Sequence, residues 1–320
     1  MQTPAAVAVF RERLEAVVAL ATRTNKATVL VVQQFPVAED AGVLFPHVRE
    51  SIATIMGFVE LGTADDLSWV LHTADEAFNW VVVDCDQKLP GSAGVVALAR
   101  ARVKREQLLF YSDNQVWFDS GLDIVQRIEG GLTGKTVLLC GVGPLADCFA
   151  AALPRIGAAI VRSDDLGSTA APPPLVLGTS QKRESIGAAI VERLPAGSAV
   201  YDVGLGNLSS GAADLARSRG MRLYRLDNRA GISSAIIRLL ETDYMVGKLM
   251  GHLRLKNVDI VAGGLLAPTG AVIVDDIHSP SLIFGVADGK GRFKEPLDPA
   301  DEDRVTFVRS LMRTSAAPVS

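Results

Sequence analysis

The chain has 320 residues, is 48% hydrophobic, and carries 32 Lys and Arg against 36 Asp and Glu, a formal net charge of −4. The length allows a large core and about two domains, and interspersed charge without a basic, aromatic-laced stripe argues against a nucleic-acid partner. No run of about 18 apolar residues exists, so no membrane span is expected. The three cysteines (Cys85, Cys140, Cys148) have no CxxC spacing, which speaks against a disulfide framework and for a cytoplasmic location.

In chain order, "MQTPAAVAVFRERLEAVVAL" reads as an amphipathic helix, because Arg11, Glu12, Arg13 and Glu15 interrupt its apolar run. "ATVLVV" (27–32) is strand-like. Phe45, His47 and Ser51 follow on an expected loop and helix start, where they would line one wall of a cleft; His47 is a candidate proton acceptor. The strand "FNWVVVD" (78–84) ends in Asp84, with Asp86 two residues on. In an extended chain the two carboxylates point the same way, and burial of one beside the other raises its pKa. "QLLFYS" (107–112) leads to Asp113 and Asn114, which suit polar contacts to an amino-acid head group.

"GLDIVQRIE" then reads as a helix that runs into "EGGLTGK" (129–135), a boundary between domains. Further strand-like runs are "TVLLCG" (136–141), "AAIVRS" (158–163), "PLVLGT" (174–179), "SAVYDVG" (198–204) and "MRLYRLD" (221–227). Continuous apolar strands alternating with helices predict a parallel sheet covered on both faces. The fold expected is α/β: a small N-terminal domain (1–125), a Rossmann doubly wound parallel sheet (126–242), and a β-containing C-terminal extension (243–320). In that extension "VDIVAGGLLAPTGAVIVDD" suggests two strands that add to or exchange with a partner subunit, hence a homodimer. "DGKG" (288–291) suits a hairpin turn. Asp275 and Asp276 are adjacent, point to opposite faces of a strand, and predict no metal site with His278. The end of the chain after Glu295 suggests a polar helix and a frayed terminus.

Gly141-Val142-Gly143-Pro144-Leu145-Ala146 matches G-x-G-x-x-G/A between a strand and a helix. The first glycine makes the tight turn, the second admits a pyrophosphate, and the helix N-terminus faces its charge. Asp164 lies near the usual ~20 residues downstream and would hold ribose hydroxyls, favouring NAD; Arg162 and Arg183 would instead suit the extra phosphate of NADP. Thr179 and Ser180 are expected to meet the carboxamide. Gly204 and Asn207 lie at the next strand end, and Arg229 is a candidate for binding a substrate carboxylate.

The chain resembles the dehydrogenase family of pyrrolysine biosynthesis, which oxidises an amine so that it cyclises to a pyrroline. The resemblance spans about residues 28–240 and rests on "DAGVLFPHVRESIATIMGF" (40–58), "VVVDCDQK" (81–88), "SDNQVWFDSGLDI" (112–124), "VLLCGVGPLA" (137–146), Asp164 and "GMRLYRLDNRAGISS" (220–234). It implies a small domain closing over a Rossmann domain, with substrate in the cleft and Asp86 at the acidic substrate-binding position. The segment from Asp243 on has no counterpart in that family. The expected function is NAD-dependent oxidation or reduction of a C–N bond in a small amino-acid-like substrate. The alternatives are an NADP dehydrogenase of the shikimate or methylene-tetrahydrofolate type, using Lys88, and a dinucleotide-binding protein without catalysis.

Overall fold

The computed structural model describes residues 4–35, 43–74, 77–89, 91–104, 107–169, 171–180, 184–204, 206–226, 228, 231–263 and 266–315. The chain forms two compact units, Met1–Ile236 and Ile237–Ser320.

The first unit opens with α1 (Pro4–Thr24), β1 (Ala27–Gln34), β2 (Val43–Glu50), β3 (Thr54–Leu61), α2 (Asp66–Thr73), β4 (Trp80–Asp84), α3 (Val95–Arg102) and β5 (Leu108–Tyr111). The strands make one sheet in the order β2-β3-β1-β4-β5, parallel except for β2. β1 is buried from Thr28 to its end, which is why its sequence is a continuous apolar run and not an alternating one. Leu30, Val32, Ile55 and Val83 pack with Phe10, Leu14 and Leu67 of the helices in one core.

Here the structure corrects the reading of Phe45, His47 and Ser51. They belong to a β2–β3 hairpin, not to a loop and helix start. β2 is an edge strand, so it tolerates Pro46 where its register breaks between Leu44 and His47.

α4 (Asp113–Glu129) starts where β5 ends. Ser112 caps it by accepting from the Gln115 N–H at 3.2 Å, and Gly130, at φ 66°, ends it. It leads to β6 (Thr136–Cys140), α5 (Pro144–Arg155), β7 (Ala159–Arg162), β8 (Leu175–Gly178), α6 (Ala188–Arg193), β9 (Ala199–Asp202), α7 (Ser210–Ser218), β10 (Arg222–Arg225) and α8 (Ile232–Tyr244). These strands form an all-parallel sheet in the order β10-β9-β8-β6-β7. Separate cores cover its faces, one built on Leu139, Leu177 and Tyr201 with Phe149, the other on Leu138, Val176 and Val200 with Val191 and Ala216. The fold is therefore α/β and doubly wound. α4 is tied to this sheet at its far end, where Glu129 Oε1 accepts from Tyr201 Oη at 2.7 Å and Arg222 Nη2 at 2.9 Å.

The second unit holds β11 (Gly251–Leu255), β12 (Val258–Ala262), β13 (Val272–Val274), β14 (Ile283–Val286) and α9 (Pro299–Ser315), with the strands in that order in one sheet. Val305 and Val308 of α9 pack on Ile260, Val272 and Val286. The 288–291 turn is held by Asp288 Oδ1, which accepts from the N–H groups of Lys290 and Arg292, beside an antiparallel bridge between Ala287 and Phe293. Among the described residues no helix is long and apolar enough to cross a membrane.

Candidate functional site

In each parallel sheet of the first unit the strand order reverses beside one strand, and ligands of such sheets sit beyond the carboxyl ends of the strands at that point. In the first sheet the strand is β1, flanked by β3 and β4. In the second it is β6, flanked by β8 and β7.

Beyond β1 and β4 lies a buried ionic cluster. Lys88 Nζ donates to Asp113 Oδ2 at 2.6 Å and to Asp84 Oδ2 at 2.9 Å, with Asp86 Oδ2 at 3.7 Å. Its side chain is 6% exposed and that of Asp84 is 0%. Asp113 is held from several sides. Trp117 Nε1 donates to Oδ2 at 3.1 Å, and Asn228 Nδ2 and Gln33 Nε2 donate to Oδ1 at 2.7 and 3.3 Å. Gln34 continues the framework: its amide donates to the carbonyls of Asp84 and Asp86. Burial opposes the charge on Lys88, but Asp113 and Asp84 outweigh it and raise the ammonium pKa. Burial pushes Asp84 up to about 6, with Lys88 opposing and the neighbouring carboxylates adding to the rise. Glu60, half-buried on β3, pairs across the ladder with Gln33. Its pKa is raised by burial and then by Asp113.

Asp86, expected to meet the substrate, has partners at the start of α4. Its Oδ1 accepts from Ser112 Oγ at 2.8 Å and its Oδ2 from the Asn114 N–H at 2.7 Å, so it fastens the start of α4. The turn after β4 swings it toward these donors, a geometry that two-residue spacing in an extended strand does not show. Asp86→Asn is therefore expected to cost about 1 kcal/mol of stability, as a lost cap does. Turnover should change by less than about tenfold, against the ~10²–10³ of a lost transition-state contact. Thermal melts and steady-state rates on one preparation check this.

The second crevice is a cleft of about 490 Å³ lined by Gly141, Val142, Asp147, Arg162, Ser163, Asp164, Ser180 and Ser185. Gly141 has φ 129°, and a Cβ there would lie 2.6 Å from the Ser180 backbone nitrogen. Gly143 has φ 107°, and a Cβ there would meet nothing within 4 Å. The first glycine lets two strand ends close up, and the second leaves the space before α5 open. Pro144 opens α5, Leu145 is buried beneath it, and Val142 stands 74% exposed. α4, which starts at the first crevice, packs on α5 of the second, with the rings of Phe118 and Phe149 edge to face at 5.0 Å.

Other expected residues fall elsewhere. Thr179 and Asn207 are fully buried and join strand ends. Thr179 Oγ1 donates to the Cys140 carbonyl at 3.2 Å, and Asn207 Nδ2 to Asp202 Oδ1 at 2.7 Å. The Gly204 N–H donates to the same Asp202 oxygen at 3.1 Å. These three secure the β6–β8–β9 ends and do not line the cleft; Ser180 does. Phe45 packs in the helix-side core, with its ring 6.0 Å from Phe10. His47 stacks on Phe58 at 4.3 Å. Ser51 caps the beginning of β3, a strand length (about 20 Å) from the cluster at its other end. Asn114 contributes its backbone to Asp86. Arg229 and Arg183 lie outside the described residues. Asp275 and Asp276 accept from amides of their own loop. Among the described residues no group of three or more His, Cys, Asp or Glu is placed to hold a metal.

No family model and no curated protein matches the chain. Solved structures to which it is similar include the bifunctional methylenetetrahydrofolate dehydrogenase/cyclohydrolase of Campylobacter jejuni, at 14% identity over 75% of this chain and 94% of that one, with TM-score 0.33. Glutamate dehydrogenase of Thermus thermophilus is 11% identical over 69% of this chain and 70% of that one, at 0.37. L-tryptophan dehydrogenase of Nostoc punctiforme is 12% identical over 67% and 74%, at 0.33.

Proposed function

We propose that the chain is a nicotinamide-dinucleotide-dependent oxidoreductase acting on a C–N bond of a small amino-acid-derived substrate. One observation carries the reading: the buried Lys88–Asp113 pair lies at one sheet crevice, with Asp113 the first residue of α4, and α4 packs through Phe118 on Phe149 of α5, the helix that follows an open glycine turn at the other. The residues fit the cofactor, because the φ 107° glycine before α5 leaves room for a pyrophosphate at a helix N-terminus. When bound, the nicotinamide ring supplies the hydride acceptor or donor.

The chain's own residues hold charge. Lys88 spends two of its three N–H groups on Asp84 and Asp113 and keeps one for a substrate oxygen. Asp113, fixed by four donors, faces charge developing on a substrate nitrogen, and Glu60 offers a further carboxylate beside it. Among the described residues the excess of carboxylates over one lysine supports an amine substrate. A biosynthetic role, with imine formation or cyclisation, and a homodimer built through residues 243–320 belong to the same proposal.

A second reading uses the same cluster: an NADP dehydrogenase of the shikimate or methylene-tetrahydrofolate type, in which Lys88, held by Asp84 and Asp113, would be the polar catalytic group. The test is to follow reduced-nicotinamide absorbance with amino-acid-derived amines and with hydroxy acids. Turnover of hydroxy acids alone overturns the amine reading, and failure to bind either dinucleotide overturns both.

A pH dependence follows from Asp84. Below about pH 6 it takes up a proton, and Lys88 loses one of its two anionic partners. kcat/KM, which reports groups of the free enzyme, is expected to fall as pH drops through 6 and to level off above it. A profile flat from about pH 5 to 7.5 would count against a catalytic use of the cluster.

A further inference from the structure

Strand β7 ends on Arg162, which pairs in register with Leu139 of β6, one turn of chain before Gly141. This is where a dinucleotide-binding sheet places the side chain that meets the adenosine ribose, roughly 20 residues after the first glycine. A carboxylate there holds the ribose hydroxyls of NAD, whereas an arginine accommodates the 2′-phosphate of NADP. The sequence suggested Asp164 for that position. The structure places Asp164 two residues beyond the strand, exposed, on a short 3-10 turn (Ser163–Ser168).

Arg162 is half-buried and lines the cleft with Ser163, yet its guanidinium makes no hydrogen bond or ion pair with any described residue. Ser163 has only a long 3.5 Å contact to Asp164. The turn that presents them is fixed from beneath: Arg193 Nη2 donates to the Leu166 and Gly167 carbonyls at 2.9 and 3.3 Å. Other arginines around the second sheet are spent on structure: Arg193 on this turn, Arg219 on the Leu194 carbonyl, Arg222 on Glu129 and Arg217 on Asp214. A partly desolvated guanidinium without an anion is unfavourable, and its fork matches a phosphate bidentately.

We infer that the cleft takes the dinucleotide carrying a 2′-phosphate, held by the Arg162 guanidinium and the Ser163 hydroxyl. Asp164, on the same rim, is left for a ribose hydroxyl. The inference rests on reading the cleft as a dinucleotide site and adds which form it selects.

The test is equilibrium binding to the full chain, followed by nicotinamide fluorescence and without substrate. NADPH is expected to bind at least about tenfold more tightly than NADH. Arg162→Ala should weaken NADPH by about 10- to 100-fold and NADH by less than about threefold, and Arg162→Lys should recover part of the loss. Adenosine 2′,5′-bisphosphate should compete with NADPH, and adenosine 5′-monophosphate should compete far less. NADH bound as tightly as NADPH overturns the inference while leaving the dinucleotide reading intact. So does equal weakening of both by Arg162→Ala, which would mean that the guanidinium stacks on the shared adenine. Failure to bind either dinucleotide removes the underlying reading, and this inference with it.

Discussion

Lys88→Gln is expected to lower kcat by about three orders of magnitude while leaving dinucleotide affinity within about twofold. Among the described residues the lysine is the one cation of the first-sheet cluster, and it lies between Asp84 and Asp113. Glutamine keeps a donor for one carboxylate but removes the cation that lies between the two. Asp113 then loses the 2.6 Å partner that holds it in place. Asp113→Asn should cause a similar loss by removing the partner. If the two residues act as one unit, the double variant should cost little more than either single change. Full additivity of the two losses would mean that they serve separate steps. Breaking a buried pair also weakens the fold, by about 3–5 kcal/mol in the worst case. The measurement therefore begins with circular dichroism and a binding titration on the same protein. A Lys88→Gln variant that stays folded, binds dinucleotide and turns over normally would show the cluster to be structural only.

The parallel strands and the glycine turn were legible because their signals are local. A short apolar run ending in Gly-x-Gly before a helix needs no distant information. The β2–β3 hairpin was not, since Pro46 speaks against a strand and only its edge position makes it tolerable. Thr54–Leu61 is buried on both faces apart from Glu60, so it shows no alternation to read. Asp84 and Asp113 were singled out, and Lys88 entered only with the alternative dehydrogenase reading; that the three meet is a contact between the turn after β4 and the start of α4, which no local pattern shows. Gln33 and Gln34, two amides ending an apolar strand, were the overlooked signal: buried polar groups at a strand end require partners. The Gln33 amide finds the Asp113 carboxylate, and the Gln34 amide the backbone carbonyls of Asp84 and Asp86. Asp86 shows the opposite limit. One carboxylate can cap a helix or meet a substrate, and only the positions of Ser112 and Asn114 decide between the two.

Gly141 and Gly143 share one turn, and valine at the two positions is expected to fail in different ways. Both glycines have positive φ, so either substitution stores backbone strain of about 1–3 kcal/mol. At Gly141 the added Cβ also lies 2.6 Å from the Ser180 nitrogen and 3.0 Å from its Cα. Backbone cannot rotate away as a side chain can, so β6 and β8 must part at their ends. Gly141→Val should therefore lose more than about 4 kcal/mol, with a fall in Tm of roughly 10 °C or more for a unit of this size. At Gly143 the Cβ enters open space. That variant should lose only a few degrees by melting, yet its isopropyl group fills the place where a pyrophosphate approaches the N-terminus of α5. Dinucleotide affinity should drop by at least about 100-fold. Calorimetric titration and melting of the two proteins side by side separate the effects. A folded Gly143→Val protein with unchanged dinucleotide affinity would remove the phosphate role from this turn and would leave its two glycines as packing devices alone.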